Sequence, residues 1–234
     1  NKLNFDFTFT ETFVPSKTSS FYGSDSSLNN DSYRTNATRL LYKEILEHFD
    51  STYDYKDYDS DKDGTIDCIF MIYDHKVDFT YKNMMWWAYT SFCVEDTKFD
   101  NVKPGNFVWC GLDFFLKDDM KCNTQTIIHE TSHLFGVDDY YDYDTSKGPQ
   151  GGLGGVDMMD YNIGDHCAFS KIMLGWINPY VVTEDCTITI NPIFNSGDCI
   201  MIPYNFTKDG YFGEYLLWNI SDDGTYSYWR YDRD

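Results

Sequence analysis

The residues best suited to chemistry lie in one short segment with the pattern H-E-x-x-H-x-x-G-x-x-D. On a helix, His129 and His133 project from one face a turn apart, and two imidazoles at that spacing can bind one Zn²⁺. Glu130 lies beside them, placed to act on water at the metal rather than to ligate it. Gly136 can adopt a left-handed conformation that ends the helix, after which Asp139 can return as a third ligand.

One helix must carry these groups, and the sequence predicts it over residues 122–135. Asn123 or Thr124 can cap its start, because a short polar side chain can accept a hydrogen bond from a first-turn amide. Five side chains share a stripe that should face the core: Ile127, Ile128, Thr131, Leu134 and Phe135. The alternative interpretation is an ordinary amphipathic helix with two solvent-facing histidines.

A second candidate metal site has the pattern D-x-D-x-D-G-x-x-D, which resembles the first nine positions of an EF-hand calcium loop. Its carboxylates come from Asp59, Asp61, Asp63 and Asp67. Phe70 stands at the twelfth position, where such a loop has a bidentate glutamate. Two interpretations stay open, a structural Ca²⁺ site and a merely acidic turn.

The first half of the chain predicts a mixture of helices and strands. Alternating phenylalanines predict a strand within residues 1–30, and apolar spacing predicts a helix over residues 31–50. An apolar run predicts a strand over Cys68–Tyr73, and short strands are expected in the aromatic-rich residues 79–116.

The second half begins with a glycine-rich stretch at residues 148–155, which is not a phosphate loop because no Gly-Lys-Ser/Thr follows. Met159 follows this stretch. A methionine downstream of an extended H-E-x-x-H motif suggests the Met-turn of metzincins. The alternative interpretation is a methionine of the hydrophobic core. A helix is predicted over residues 168–176, and alternating short runs predict strands in residues 181–234.

The composition of the chain limits the kinds of function that it can have. The 234 residues carry a net charge of −20, which opposes binding to nucleic acid or anionic membranes by simple attraction. No apolar run approaches the length needed to span a membrane. None of the seven cysteines forms a C-x-x-C pair, which argues against a cysteine-based zinc site. Two or three disulfides and buried free thiols both stay open.

Several segments together resemble the M6 family of secreted metallopeptidases, the immune inhibitor A group. The metal motif and the following Tyr140–Asp142 match the family pattern, and so do Gly155–Met159, Gly164–His166 and Ser170–Pro179. The resemblance covers most of residues 15–180.

This resemblance implies a zinc-dependent endopeptidase that hydrolyses peptide bonds of extracellular proteins. His129, His133 and Asp139 would ligate Zn²⁺. Glu130 would be the general base acting on a metal-activated water, and Met159 would be the Met-turn residue.

The resemblance also implies a metzincin-like α+β fold, with a mixed sheet and an active-site helix. The catalytic domain would span residues 1–180, and residues 181–234 would form a short β-rich C-terminal segment. We expect a secreted, monomeric enzyme whose partners are protein or peptide substrates, with neither nucleic acid nor a membrane span.

The chain departs from the family pattern in two places. Asp138 replaces the usual proline, which puts a second carboxylate beside Asp139 and leaves the choice of ligand between them open. Tyr161 creates a Met-x-Tyr sequence, and some metzincins outside this group use such a tyrosine near the metal, so Tyr161 is a candidate catalytic residue.

Three alternatives accompany the peptidase interpretation. The first is a catalytically weak or inactive module on a metallopeptidase fold that binds a host or cell-surface protein; the presence of Glu130 speaks against it. The second is a different zincin, such as a snapalysin-like enzyme. The third is a calcium-stabilised adhesion module, which explains the aspartate-rich loop but not the histidines.

Overall fold

The computed structural model describes residues 5–24, 33–77, 84–91, 97–116, 122–144, 146, 152–153, 155–162, 164–204, 213–221, 224 and 226–231. These residues form α-helices and two small mixed sheets, so the protein is α+β, as the sequence predicts. By its internal contacts the chain divides into two compact units, residues 4–136 and residues 137–234. The predicted domain boundary near residue 180 stays a prediction.

The described residues of the first unit form three α-helices and three strands. The helices are α1 (Ser19–Ser24), α2 (Tyr33–Phe49) and α3 (Gln125–His133). The strands are β1 (Cys68–Tyr73), β2 (Tyr89–Ser91) and β3 (Asn106–Gly111). Short 3₁₀ turns occur at Tyr55–Tyr58, Met84–Trp86 and Leu112–Phe114.

The sheet of the first unit has the strand order β1-β3-β2. β1 runs parallel to β3, with Met71 opposite Trp109, and β2 runs antiparallel to β3, with Thr90 opposite Val108. The central strand β3 is buried along most of its length, as expected for an apolar strand covered on both faces. The helix α3 contacts β2 and β3, so this sheet supports the helix with the metal motif.

The core of the first unit is rich in aromatic side chains. Tyr42 and Phe107 are fully buried with their ring centroids 5.0 Å apart, which ties α2 to the central strand. Tyr73 stacks on Trp109 at 4.5 Å across the parallel pair, and the indole nitrogen of Trp109 donates to the main-chain oxygen of Met85 at 2.8 Å. A buried indole with its donor satisfied stabilises packing without a polar penalty.

The second unit contains shorter elements around two smaller cores. Its helices are α4 (Met158–Tyr161), α5 (Ala168–Met173) and α6 (Ile193–Ser196). Its strands are β4 (Tyr180–Val181), β5 (Ile200–Pro203), β6 (Tyr215–Ile220) and β7 (Tyr226–Tyr231), in the sheet order β4-β5-β6-β7. One core joins α5, α6 and this sheet, and the other contains Val137, Met158 and Met159.

Most predicted elements form where the sequence places them. The helix within residues 31–50, the strand over Cys68–Tyr73 and the strands beyond residue 180 are confirmed. The helix predicted over residues 168–176 ends earlier, at Met173. Gly175 follows in a left-handed conformation, which stops the helix.

The strand predicted from Phe5, Phe7 and Phe9 is wrong for the part that the structure describes, residues 5–24. Residues 5–15 have no strand ladder, and the short helix α1 follows them. The alternation of phenylalanines has another cause: Phe5 stacks on Phe7 at 5.4 Å, and Phe7 meets Phe70 edge-on at 5.3 Å. A row of rings along an extended segment produces the same period of two as a strand.

Among the described residues, no helix combines the length and the apolar character that crossing a membrane requires.

Candidate metal centre

Local capping decides where the helix with the metal motif begins and ends. Thr124 occupies the N-cap position without a side-chain hydrogen bond, and the Asn123 side-chain oxygen instead accepts a hydrogen bond from the Gln125 amide at 3.1 Å. The helix ends at His133, two residues before the predicted end. Gly136 has φ +82°, the left-handed conformation that lets the chain turn back.

The buried face of α3 is polar, which corrects the predicted apolar stripe. The helix buries Thr126, His129, Glu130 and Ser132, while Ile128 is 42% exposed. Burial of an ionisable pair such as His129 and Glu130 costs free energy unless a partner or a metal compensates it. The helix α3 thus buries His129 and Glu130, whereas Ile128 faces solvent.

Three of the predicted ligands converge. One ligand atom from each of His129, His133 and Asp139 lies within 4.8 Å of the other two. The imidazole rings are nearly perpendicular, with centroids 4.9 Å apart, as two side chains one helical turn apart can be. Two nitrogen donors and one carboxylate oxygen match the ligand chemistry of a Zn²⁺ site that keeps one position open. The residues present therefore fit a bound zinc ion.

The choice between the two adjacent carboxylates falls on Asp139. Asp139 is half-buried and belongs to the converging group, whereas Asp138 is exposed and does not. Tyr143 donates its hydroxyl to Oδ2 of Asp139 in a short hydrogen bond. Burial, together with the negative charge of Asp139, raises the pKa of Tyr141, so this tyrosine stays a neutral donor beside the same carboxylate. Two tyrosines thus lie against the candidate third ligand, in the position that partners of metal ligands commonly take.

The candidate general base has a partner that the sequence analysis missed. Glu130 is 6% exposed, and Thr90 Oγ1 lies 2.6 Å from its main-chain oxygen and 3.3 Å from its Oε2. Thr90 belongs to β2, an edge strand of the sheet, so the strand and the helix are joined at the glutamate itself. No local pattern marks Thr90, because the contact spans 40 residues of sequence.

Met159 and Tyr161 lie in the second unit, in and next to the short helix α4. Met159 is fully buried and packs with Val137 and Met158. Tyr161 is about half exposed, and its ring lies against Gly155, where a β-carbon would come within 2.9 Å of the ring. The Met-turn role of Met159 and the catalytic role of Tyr161 stay predictions.

The aspartate-rich loop brings three of its four carboxylates together. Asp59, Asp61 and Asp67 each place an oxygen within 4.8 Å of the other two. Asp63 is outside this group, and its Oδ1 accepts a hydrogen bond from the Thr65 amide at 2.8 Å. Since exposed acidic groups adopt such turns without an ion, the calcium role stays a prediction.

The described cysteines are all free thiols: Cys68, Cys110, Cys122, Cys167, Cys186 and Cys199. Three of them, Cys110, Cys167 and Cys199, are buried. Burial raises the pKa of Cys110 to about 12, and the nearby charge of Glu130 adds to this effect, so the thiol stays protonated. Buried cysteines of this kind act as small apolar side chains. Cys93 lies outside the described residues.

Comparison with protein-family models, with curated proteins and with solved structures finds no match to this chain.

Proposed function

We propose that this protein is a zinc-dependent endopeptidase, a secreted enzyme with a metzincin-like catalytic domain of the M6 type. One observation carries the proposal: the ligand atoms of His129, His133 and Asp139 lie within 4.8 Å of one another. They belong to one continuous segment whose helix and glycine turn account for the convergence. The resemblance of the surrounding motifs to the M6 family supports the same reaction class.

Each residue of the candidate site has its own role in the proposed reaction. His129, His133 and Asp139 would hold the ion, which when bound supplies a Lewis acid for the scissile carbonyl and lowers the pKa of water to about 7. The Glu130 carboxylate accepts the proton of the attacking water and returns it to the leaving amine. The Thr90 hydroxyl, which has a single hydrogen, lies 2.6 Å from the main-chain oxygen of Glu130 and 3.3 Å from its Oε2. A base held in this way needs little reorganisation when the substrate arrives.

The burial of Glu130 favours an enzyme over a binding module. A carboxylate on a buried helix face destabilises a fold that does not use it, because its charge loses hydration. Glu130 is buried beside His129, one of the candidate ligands, rather than on a solvated surface. A module that only bound a partner protein would have no need of this residue.

Metal content tests the proposal. We expect one zinc per chain in protein purified without added metal, measured by elemental mass spectrometry, and its loss in His133→Ala. Asp138→Asn is the matched control, because it changes an exposed neighbour outside the converging group and should keep the zinc. Calcium in the same measurement tests the loop of Asp59, Asp61 and Asp67. A wild-type protein that takes up no zinc, even after reconstitution, would overturn the proposal.

A further inference from the structure

A fully buried carboxylate, that of Asp157, connects two short helices of the second unit. Asp157 is 0% exposed and precedes α4 as its N-cap. Its Oδ1 accepts a hydrogen bond from the Met159 amide at 2.7 Å. Its Oδ2 accepts one from the Cys167 amide at 2.6 Å and one from the Ser170 hydroxyl at 2.9 Å. One side chain thus joins the start of α4 to the start of α5.

The groups around Asp157 keep its carboxylate charged at neutral pH. Burial alone raises the pKa of Asp157, but the nearby His166 side chain and the hydrogen bonds from the amides of Cys167 and Met159 outweigh it and lower the pKa to about 2. The Nδ1 atom of His166 lies 3.8 Å from Oδ1 of Asp157. A buried carboxylate with this many donors is a rigid acceptor at neutral pH.

Tyr140 is held at both ends by the groups that Asp157 orders. The Tyr140 amide donates to the main-chain oxygen of Met159 at 2.9 Å. The Tyr140 hydroxyl is hydrogen-bonded to the Ser170 hydroxyl, with 3.0 Å between the oxygens. The Tyr140 ring packs against the cluster of Val137, Met158 and Met159. These residues all belong to the second unit.

Tyr140 directly follows Asp139, so the two residues share one planar peptide. Fixing the Tyr140 amide fixes the orientation of that peptide and restricts the Asp139 backbone. We propose that Asp157 is a positioning residue that places Asp139 for metal binding, acting through Met159 and Ser170 on Tyr140. This inference rests on the proposed function in one respect, namely that Asp139 is a metal ligand.

The test removes single hydroxyl groups and leaves the buried carboxylate in place. Tyr140→Phe breaks the contact with Ser170, and Ser170→Ala breaks the link between Asp157 and Tyr140. In both variants, Asp157 keeps its two main-chain donors. Tyr55→Phe is the matched control: it removes a buried tyrosine hydroxyl that donates to the Leu46 main-chain oxygen in the first unit.

Two readouts separate positioning from general stability. The dissociation constant for Zn²⁺ is measured by chelator competition, and the visible spectrum of the Co²⁺-substituted protein reports the ligand geometry. We expect Tyr140→Phe and Ser170→Ala to weaken zinc binding by roughly tenfold or more, the range found for groups that orient metal ligands, and to shift the cobalt bands. Tyr55→Phe should lower the Tm while leaving the zinc affinity and the cobalt spectrum unchanged.

Asp157→Asn should weaken zinc binding at least as much, and adding Tyr140→Phe to it should cost little more, since both changes act on one network. If Asp157→Asn fails to fold, the two hydroxyl variants still decide the matter. If Tyr140→Phe and Ser170→Ala bind zinc as tightly as the wild type does, this inference is overturned and the proposed function is not. A wild-type protein that binds no zinc would overturn the proposed function and this inference together.

Discussion

Thr90 and Glu130 join the edge strand β2 to the helix α3, because one threonine hydroxyl lies within hydrogen-bond distance of both the main-chain oxygen and the carboxylate of the glutamate. The strand thereby places a hydroxyl group against both the main chain and the carboxylate of the candidate general base. Positioning of this kind is what proton transfer requires, since a displaced base loses reach of the water that it must deprotonate.

Thr90→Val removes this hydroxyl while keeping the shape of the side chain. We expect kcat for a fluorogenic peptide to fall by roughly tenfold, with KM and zinc content little changed, because the base loses its support and the ligands keep theirs. Thr90→Ser retains the hydroxyl and should retain most of the activity. Equal kcat values for the valine and serine variants would argue against a role for the hydroxyl.

Glu130→Gln tests the base itself. The amide is nearly isosteric but cannot accept the proton, so we expect kcat to fall by about 10² to 10⁴. The zinc content should stay at the wild-type level, because Glu130 is not among the three converging ligands. Hydrolysis that survives in the glutamine variant, with zinc bound, would assign the proton transfer to another group.

Gly136→Ala tests the turn that leads from His133 to Asp139. With φ +82° at this position, a β-carbon is strained even though no atom lies within 4 Å of it. We expect the free energy of unfolding to fall by about 1 kcal/mol and the zinc affinity to fall as well. Gly64→Ala is the matched control, with φ +85° and equally open surroundings, and should lose similar stability without losing zinc affinity. Chemical denaturation and chelator competition measure the two quantities. Unchanged zinc affinity in Gly136→Ala would show that the turn tolerates the strain.

The pH dependence of stability follows from Asp157. Its pKa is about 2 in the folded protein against an ordinary value of 3.8, so folding favours the charged form. The stabilisation is therefore complete above about pH 4 and is lost as the pH falls through 2, and it amounts to about 2 kcal/mol for a shift of this size. The difference in unfolding free energy between wild type and Asp157→Asn should shrink over that window. A difference that stays constant from pH 5 to pH 2 would contradict the lowered pKa.

Local patterns predicted the elements whose signals are strongest. The helix α2 and the strand β1 form where they were predicted. Apolar side chains at helical spacing share one face of a helix, and a short continuous apolar run is typical of a strand. The residues Phe5, Phe7 and Phe9 have the period of a strand but form a row of neighbouring rings, and periodicity cannot distinguish the two. The stripe on α3 was wrong because the helix buries His129, Glu130 and two other polar side chains, which a hydrophobic pattern assigns to solvent.

The sequence by itself determined which donors can meet: helical spacing sets His129 and His133 on one face, and Gly136 supplies the turn after them. The tertiary structure alone decided that Asp139 rather than Asp138 joins them, that Thr90 holds Glu130, and that Asp157 orders the contacts of Tyr140. The physical reason is that spacing along a helix is a local property of the backbone. The orientation of a carboxylate and the partner of a buried base depend instead on contacts between segments that are distant in sequence.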